Sequence, residues 1–478
     1  MSLFTPGRRW QPPFYPFKKE TKGRRFLAFT ERKIKGVLFG CRMCGNCLLQ
    51  ETAFICPMEC PKGMRNGPCG GSSAKSCYVD ETRPCIWYKI YERAFKMNRE
   101  DKLLEVLPPL DWEKVGTETW GEVFSKIKQF GTSKFISSVF FSKDIEKKKN
   151  MWDAVFRTIR QPEWWKGDSE YHAPKYDESA SELEQQLKAG KFVVTSEVTP
   201  PISISTNKLT KEIQLLKPFV TSVNFTDSSS ATPSMSSIAC CKIAIDCGAE
   251  PVLQIAARDA TRSSFQSLAI GANALGIKNI LCLTGDSAKQ GAAPKGNMNI
   301  VDLDSIQMLW ILRRMRDEGI YLHGKQIKFP PKFFLGAAAS PFASEPKFQA
   351  IREHKKIDAG AQFFQTNIIY NPDGLETWVN ELTKRGIRNK VYILAGITPL
   401  RSYKMAMYLH NNVPGVTIPE KYLKRMENAG DKGEEEGIAI TVELMKEIKA
   451  RKIVDGFHIM AIGWETMVPK ILTEAGLS

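Results

Sequence analysis

The sequence predicts an α/β protein, a (β/α)8 TIM barrel preceded by a small Cys-rich metal-binding domain. From Lys191 onward, eight short apolar runs alternate with eight amphipathic stretches, as repeated β-then-α units do. Eight of the 12 cysteines fall between residues 41 and 85. No run of about 18 apolar residues occurs, so we expect no membrane span. The chain then divides into four parts: 1–35, 36–130, 131–178 and 179–478.

The first part, residues 1–35, is a basic arm that holds 10 basic and 2 acidic residues, in a chain whose net charge is +16. A basic surface attracts polyanions such as nucleotide cofactors or polyglutamylated substrates, although it also simply keeps a protein soluble. The arm lacks the apolar run of a secretory signal, which makes the cytoplasm the expected location. Because basic and aromatic residues are not interleaved in a recognisable module, we expect no nucleic-acid partner.

The second part, residues 36–130, carries the clustered cysteines. Without an export signal, such a density of thiols favours metal ligation over disulfides. The opening C-x2-C-x2-C triplet is typical of three corners of a [4Fe-4S] cluster, and a Cys-Pro step often supplies the fourth ligand. Zinc favours C-x2-C pairs as well, and unligated buried cysteine is a third alternative. Eight thiols suffice for two sites of four: Cys41, Cys44, Cys47, Cys56, Cys60, Cys69, Cys77 and Cys85.

A Lys- and Trp-containing connector, residues 131–178, leads to the barrel. The predicted strands are 192–198, 219–225, 251–256, 279–283, 333–338, 363–369, 391–397 and 456–461. The predicted helices lie near 206–217, 234–247, 261–276, 303–318, 346–359, 374–386, 400–411 and 437–452. A doubly wound open sheet is the alternative architecture.

Active sites of (β/α)8 barrels lie where the strands end, and two carboxylates occupy such positions. Glu197 closes the first strand before two prolines and is a candidate general acid, or else the partner of an ion pair inside the barrel. Asp286 follows the fourth strand after Gly285, where a simple turn is the alternative. None of the five histidines pairs with another at metal-ligand spacing, so we assign no catalytic histidine.

Four segments resemble successive signatures of methylenetetrahydrofolate reductases. They are VTSEVTPP at 194–201, LTGD at 283–286, DAGAQFFQTN at 358–367 and AGITP at 395–399. The resemblance covers about 180–478. The Cys-rich part is similar to the small metal-binding companion that some anaerobic bacteria and archaea carry beside these reductases, through CPMECPKGMRNGPCGG at 56–71 and RPCIW at 83–87.

The resemblance implies a flavin, FMN or FAD, and the reduction of 5,10-methylenetetrahydrofolate to 5-methyltetrahydrofolate or the reverse. Glu197 would protonate the substrate, and Asp286 would stabilise the cation that follows. The implied flavin-binding positions are Asn224, Gln254, Leu283, Thr284, Gly285, Ala338 and Lys356, of which Lys356 would pair with the flavin phosphate. The implied folate-binding positions are Gln365, Asn367 and Met405. The fused Cys-rich domain implies electron delivery from a partner such as a ferredoxin, a flavodoxin or another electron-transfer subunit, and we expect an oligomer.

Two other functions fit the same residues. The substrate could be a related pterin carrier, methylenetetrahydromethanopterin, and the chain could instead be a non-catalytic electron-transfer or scaffold subunit. Met405 and Leu409 stand where bacterial members carry a Gln and a Phe that help to hold folate or nicotinamide. These departures put a nicotinamide reductant in doubt.

Overall fold

The computed structural model describes residues 21–73, 75–286, 301–413 and 415–477. Contacts divide the chain into two compact units. The first unit contains the described residues up to Gly67 together with Ile86–Ser169, and the second contains Pro68–Cys85 together with the chain from Glu170 onward. Pro68–Cys85, with three of the clustered cysteines, therefore groups with the barrel, whereas the sequence predicted a single domain over 36–130. No helix in the described ranges is long and apolar enough to cross a bilayer.

The first unit is helical and loop-rich. Trp87 and Trp165 are buried in it, and each indole N–H donates to a backbone carbonyl, that of Met64 at 3.2 Å and that of Val106 at 2.9 Å. A buried indole needs such a partner because an unpaired donor costs free energy. The helices of this unit are α1 (Lys22–Phe39), α2 (Ile86–Lys96), α3 (Trp120–Phe130), α4 (Thr132–Ile136) and α5 (Ile145–Arg160).

The second unit is a closed barrel of eight parallel strands in sequential order. The first and last strands pair in parallel, with Thr195 opposite His458, which closes the sheet and excludes the open-sheet alternative. The strands are β1 (Val193–Val198), β2 (Ser222–Phe225), β3 (Pro251–Ala256), β4 (Asn279–Leu283), β5 (Phe334–Ala339), β6 (Phe363–Ile368), β7 (Tyr392–Ile397) and β8 (Gly456–Met460). The predicted (β/α)8 barrel is confirmed.

Helices follow each strand on the outside of the barrel, and α6 precedes the first strand. Three helices of this unit, α6, α14 and α16, were not predicted from the sequence. The helices of this unit are α6 (Glu182–Lys188), α7 (Asn207–Leu216), α8 (Ser237–Asp246), α9 (Arg262–Ala274), α10 (Ser305–Asp317), α11 (Pro346–Asp358), α12 (Pro372–Lys384), α13 (Tyr403–Asn412), α14 (Glu420–Ala429), α15 (Gly433–Arg451) and α16 (Val468–Glu474).

An apolar cluster fills the barrel at the ends where its strands begin. Leu183 and Leu187 of α6 pack against side chains from the first residues of the strands, among them Phe334 and Phe363, whose rings stack at 4.7 Å. Burial of each such side chain contributes about 1.5–3 kcal/mol. With the apolar cluster at one end, the polar side chains of the barrel interior lie toward the ends where the strands finish.

Candidate active site and candidate metal centre

Glu197 lies at the mouth of the barrel. Thr195 and Glu197 are two residues apart on β1 and so point to the same face. Thr195 is fully buried in the barrel, whereas the Glu197 side chain is 22% exposed. Gln254 of β3 donates from Nε2 to Glu197 Oε2 at 2.9 Å. His458 of β8 places its Nε2 3.7 Å from the same oxygen. Glu197 is thus hydrogen-bonded by Gln254 and approached by His458, while its carboxyl group faces the mouth.

A hydrogen-bonded chain of side chains lies beneath Glu197. Asn224 of β2 and Gln365 of β6 exchange two amide hydrogen bonds, of 2.6 and 3.1 Å. Gln365 also donates to Thr195 Oγ1 at 3.0 Å, and Thr195 Oγ1 lies 3.0 Å from His458 Nδ1. All four residues are at most 3% exposed. Because buried polar groups are costly unless paired, this chain fixes side chains from four strands relative to one another.

Asp286 is anchored at both carboxylate oxygens. The Ser230 backbone N–H donates to Oδ2 at 2.9 Å, and the Tyr78 hydroxyl donates to Oδ1 at 3.2 Å. Gly285 before it has φ +86°, and a Cβ there would lie 3.0 Å from Arg258 Cβ, so a residue other than glycine would be strained. Asp286 therefore joins the β4 end to two other segments, which goes beyond a local turn.

The loop after β2 that meets Asp286 is strained. Ser228, Ser230 and Ala231 all have φ between 47° and 54°, a region that costs non-glycine residues about 1–3 kcal/mol each. Arg258 donates to the Ser228 carbonyl at 3.1 Å. Burial disfavours the charge of Arg258, but Asp259, Asp286 and Asp227 outweigh burial and raise its pKa. Such strain persists where surrounding contacts hold it, and here it lies beside a candidate catalytic carboxylate.

The predicted flavin and folate positions fall into a buried group and a half-buried group. Asn224, Gln254 and Gln365 bind one another or Glu197 inside the barrel, as described above. Thr284 is buried, and its hydroxyl donates to Ser305 Oγ at 3.2 Å. The half-buried positions at the strand ends or on α13 are Leu283, Gly285, Ala338, Asn367 and Met405.

Lys356 is enclosed within the protein. It donates to the Ala338 carbonyl at 2.5 Å and lies 2.6 Å from a carboxylate oxygen of Glu353. Burial, with a contribution from neighbouring Arg352, lowers its pKa to about 8. The ammonium thus pairs with Glu353 and the β5 backbone instead of facing solvent.

Two threonines at the strand ends have buried hydroxyls that lack a partner within the described part of the chain. Thr226 follows β2 and Thr398 follows β7. β5 offers only small side chains from Gly336 to Ala339. Unpaired hydroxyls at two strand ends and small side chains on a third strand of the same barrel fit a flat ring with a polar edge, as a flavin has.

Four clustered cysteines of the first unit line one cavity together with Lys35. α1 ends at Phe39 with Gly40 as its C-cap, and the Cys41 N–H donates to the Lys35 carbonyl at 3.2 Å. The end of the helix therefore fixes where the cysteine triplet begins. Gly45 within the triplet has φ +71°, and a Cβ there would lie 2.1 Å from the Lys114 carbonyl oxygen. The four cysteines are Cys41, Cys44, Cys47 and Cys56.

Buried cations accompany these thiols. Lys35 Nζ lies 3.8 Å from Cys47 Sγ, and Arg65 donates to Cys44 Sγ at 3.8 Å. Burial raises the pKa of Cys41 to about 12, with Cys44 and Cys47 adding to the shift. Within the described residues, no three Cys, His, Asp or Glu side chains stand at metal-binding distance. The four thiols therefore face one cavity, but they stand further apart than in a formed metal site.

The other four clustered cysteines are not among the residues that line this cavity. Cys60 is half-buried in the first unit, and Cys69, Cys77 and Cys85 are buried in the second. Cys69 Sγ lies 3.3 Å from Ser72 Oγ, which in turn accepts the Tyr78 N–H at 3.1 Å. Cys69 is thereby linked to the loop that brings Tyr78 to Asp286. Metal ligation by all eight cysteines stays a prediction.

Two residues that the sequence analysis did not single out contact the candidate carboxylates. His458 is a polar residue inside the apolar run of β8, and that alternation was the available signal. Tyr78 meets Asp286 across 208 positions of sequence, and no local pattern marks it.

The comparisons with known proteins bear on this site. The family model "Methylenetetrahydrofolate reductase" matches residues 182–476, which is more than half of the chain. The chain belongs to the methylenetetrahydrofolate reductase family. A second family model, "Methylene-tetrahydrofolate reductase C terminal", matches residues 22–113.

Relatives of this methylenetetrahydrofolate reductase family member are distant. Methylenetetrahydrofolate reductase 2 of Schizosaccharomyces pombe is 25% identical over 221 residues, 42% of this chain and 32% of that protein. A probable methylenetetrahydrofolate reductase (NADPH) of Caenorhabditis elegans is 24% identical over 239 residues, 48% of this chain and 33% of that protein. The matched region spans about a third of the length of these curated relatives. A structure of a Clostridium thermocellum protein that binds two copies of 5-methyl-5,6,7,8-tetrahydrofolic acid has 17% identity and a TM-score of 0.42, covering 62% of this chain and 97% of that one.

Proposed function

We propose that the barrel catalyses flavin-dependent reduction of 5,10-methylenetetrahydrofolate to 5-methyltetrahydrofolate, or the reverse reaction. The observation that carries the proposal is the pair of anchored carboxylates, Glu197 and Asp286, at strand ends of a barrel whose sequence matches this family. Strand ends are where (β/α)8 barrels carry out chemistry.

Glu197 is the general acid in this proposal. Its carboxyl group is partly exposed at the mouth and is oriented by Gln254. It gives its proton to N10 as the five-membered ring of the substrate opens, and N5 and the methylene carbon then form an iminium cation. A positioned general acid contributes about 10²–10⁴-fold to the rate.

Asp286 stabilises that cation electrostatically. Its two oxygens are held by Ser230 and Tyr78, so the negative charge does not have to be reoriented during the reaction. A charge that is already in place before the reaction stabilises the transition state more than one that must move.

A flavin bound at the strand ends would supply the hydride that reduces the iminium carbon. Thr226 and Thr398 would offer it hydrogen bonds, and the small side chains of β5 would leave room for its ring. Lys356 supports the same region through the Ala338 carbonyl. In this proposal its buried ammonium stabilises β5 through that hydrogen bond and does not bind the flavin phosphate.

The first unit, we further propose, holds a metal centre on Cys41, Cys44, Cys47 and Cys56. Thiolates bind both [4Fe-4S] clusters and zinc, and four thiolates with either centre carry excess negative charge. Lys35 and Arg65 lie within 3.8 Å of two of the sulfurs and would offset part of it. An iron-sulfur cluster here would pass electrons from a partner protein, whereas zinc would make the unit structural.

The test of the catalytic assignment is Glu197→Gln, measured in two half-reactions by stopped flow. Reduction of the flavin should stay within about twofold of wild type, and oxidation of the reduced flavin by 5,10-methylenetetrahydrofolate should slow by about 10²–10⁴-fold. Glu212→Gln, on the outer helix α7, is the matched control. Equal slowing of both half-reactions would remove Glu197 from the role of acid.

A further inference from the structure

The last member of the interior hydrogen-bonded chain is a histidine, and this histidine lies next to the proposed acid. It runs from Asn224 through Gln365 and Thr195 to His458, and each step is 3.1 Å or shorter. The only longer step is the one to Glu197, with His458 Nε2 3.7 Å from Oε2. The donors and acceptors along this chain decide which nitrogen of His458 carries a proton.

Thr195 decides which group donates in its hydrogen bond with His458. Gln365 donates to Thr195 Oγ1 from Nε2, so Thr195 accepts from that side. The Thr195 hydroxyl hydrogen then has two acceptors within reach, His458 Nδ1 at 3.0 Å and the Phe457 carbonyl at 3.5 Å. Because hydroxyl hydrogen bonds normally span about 2.5–3.0 Å, only Nδ1 lies within the usual length, and the hydrogen goes to it. His458 Nδ1 is therefore an acceptor and carries no proton.

A neutral imidazole with an unprotonated Nδ1 carries its proton on Nε2. That nitrogen is the one nearest Glu197. We infer that His458 is a positioning residue for Glu197: the interior chain fixes its Nε2–H tautomer so that it donates to Glu197 Oε2. This inference rests on the proposed function of Glu197 as acid.

In the reaction, the O–H bond of the Glu197 carboxylic acid breaks as the N10–H bond forms, and the electron pair stays on the carboxylate. His458 keeps its own proton throughout and donates a hydrogen bond to the charge left on Oε2, beside the bond that Gln254 already makes. The 3.7 Å distance closes when the partly exposed Glu197 side chain moves, because catalytic hydrogen bonds are often long before substrate binds.

The first experiment reads the tautomer directly. Protein labelled with 15N-histidine is studied by nitrogen–proton correlation spectroscopy, and His458 is assigned by its loss in His458→Gln. His410 is an internal reference, because its Nδ1 accepts the Ile418 N–H at 3.2 Å and so cannot carry a proton. We expect His458 to show the same Nε2–H pattern and to lose it, wholly or in part, in Thr195→Val. A protonated Nδ1 on His458 in the wild type would overturn the inference.

The second experiment uses two amides that mimic opposite nitrogens of the ring. Gln can place an N–H near the position of Nε2, whereas Asn reaches only as far as Nδ1. We expect His458→Asn to slow the folate half-reaction by about 10- to 100-fold, the effect of losing a hydrogen bond to a charged group. His458→Gln should stay within a few-fold of wild type, and flavin reduction should be unchanged in both.

Equal loss in the two variants would mean that His458 only packs the barrel, and the inference would fall. Should the wild-type chain reduce no folate, the proposed function fails while the spectrum still reports the tautomer. Should His458→Asn not fold, the comparison of wild type with Thr195→Val still decides the point.

Discussion

Tyr78 is the residue that ties the Cys-rich sequence to a candidate catalytic carboxylate. It belongs to Pro68–Cys85, the segment that groups with the barrel, and its hydroxyl donates to Asp286 Oδ1. A carboxylate that loses one of two fixed donors is freer to rotate, and its charge is then less well aimed at the substrate.

We predict that Tyr78→Phe lowers kcat for folate reduction by about tenfold, the lower end expected for one hydrogen bond to a charged group. Stopped-flow measurement of the folate half-reaction checks it. Tyr321→Phe removes a hydroxyl from the same unit beyond the end of α10 and should leave the rate unchanged. A Tyr78→Phe rate equal to wild type would show that Ser230 alone suffices to hold Asp286.

Lys356 could bind flavin phosphate or form an internal ion pair, and the sequence could not distinguish these two roles. By resemblance it binds flavin phosphate, but in the fold its ammonium is buried against Glu353, which is itself fully buried. Sequence position placed Lys356 on the correct helix, but its direction depends on packing around α11.

Lys356→Met should therefore destabilise the flavin-free protein by about 3–5 kcal/mol, because it leaves the Glu353 charge buried without its partner. Denaturant unfolding measures this directly. Lys347→Met, on the exposed side of the same helix, should change the free energy of unfolding by less than about 0.5 kcal/mol. A Lys356→Met protein as stable as wild type that binds flavin poorly would restore the phosphate role.

At the scale of elements, the barrel strands were predicted well where a strand is a continuous apolar run between breaks. β3 and β4 have the predicted ends. β2 begins at Ser222, three residues later than predicted, because the N–H groups of Phe219 and Val220 close the end of α7 on the Leu216 carbonyl. Apolar residues served there as a helix end and not as a strand.

The missed helices have a physical reason too. α14 buries only Tyr422 and Met426, and two apolar positions are too few to show a helical periodicity in the sequence.

The candidate site was predictable from the sequence only in part. Carboxylates at strand ends follow from the barrel pattern, whereas contacts such as that of Tyr78 depend on chain segments far apart in sequence.

β5 and β6 give an element-scale test of packing. A Cβ on Gly336 would lie 2.2 Å from Cζ of Phe363, so Gly336→Ala should overpack the barrel and destabilise it by about 1–3 kcal/mol. Gly271→Ala on α9 has no atom within 4 Å of the new Cβ and should stabilise by about 0.5–1 kcal/mol. Thermal unfolding of both variants measures the difference. Equal stability of the two would contradict the packing described for these strands.

At the scale of the whole molecule, we propose that the metal centre passes electrons to the flavin of the barrel. Cys44→Ala should remove metal from the purified chain, measured by elemental analysis and by absorbance under anaerobic conditions. Cys247→Ala, a half-buried thiol outside the Cys-rich segment, is the control and should keep it. An iron-sulfur cluster gives a broad visible band and zinc gives none, so the same spectrum identifies the centre. Wild-type protein purified without bound iron or zinc would contradict the metal assignment.

Anaerobic turnover of the wild-type chain with 5,10-methylenetetrahydrofolate tests the central claim most directly. The product is quantified by chromatography with either a reduced one-electron donor, such as a reduced viologen, or NADH. We predict 5-methyltetrahydrofolate from the one-electron donor and little from NADH, because the family resemblance puts Met405 and Leu409 where bacterial members carry side chains that help to hold folate or nicotinamide. No 5-methyltetrahydrofolate with either donor, from protein that contains its flavin and metal, would contradict the account.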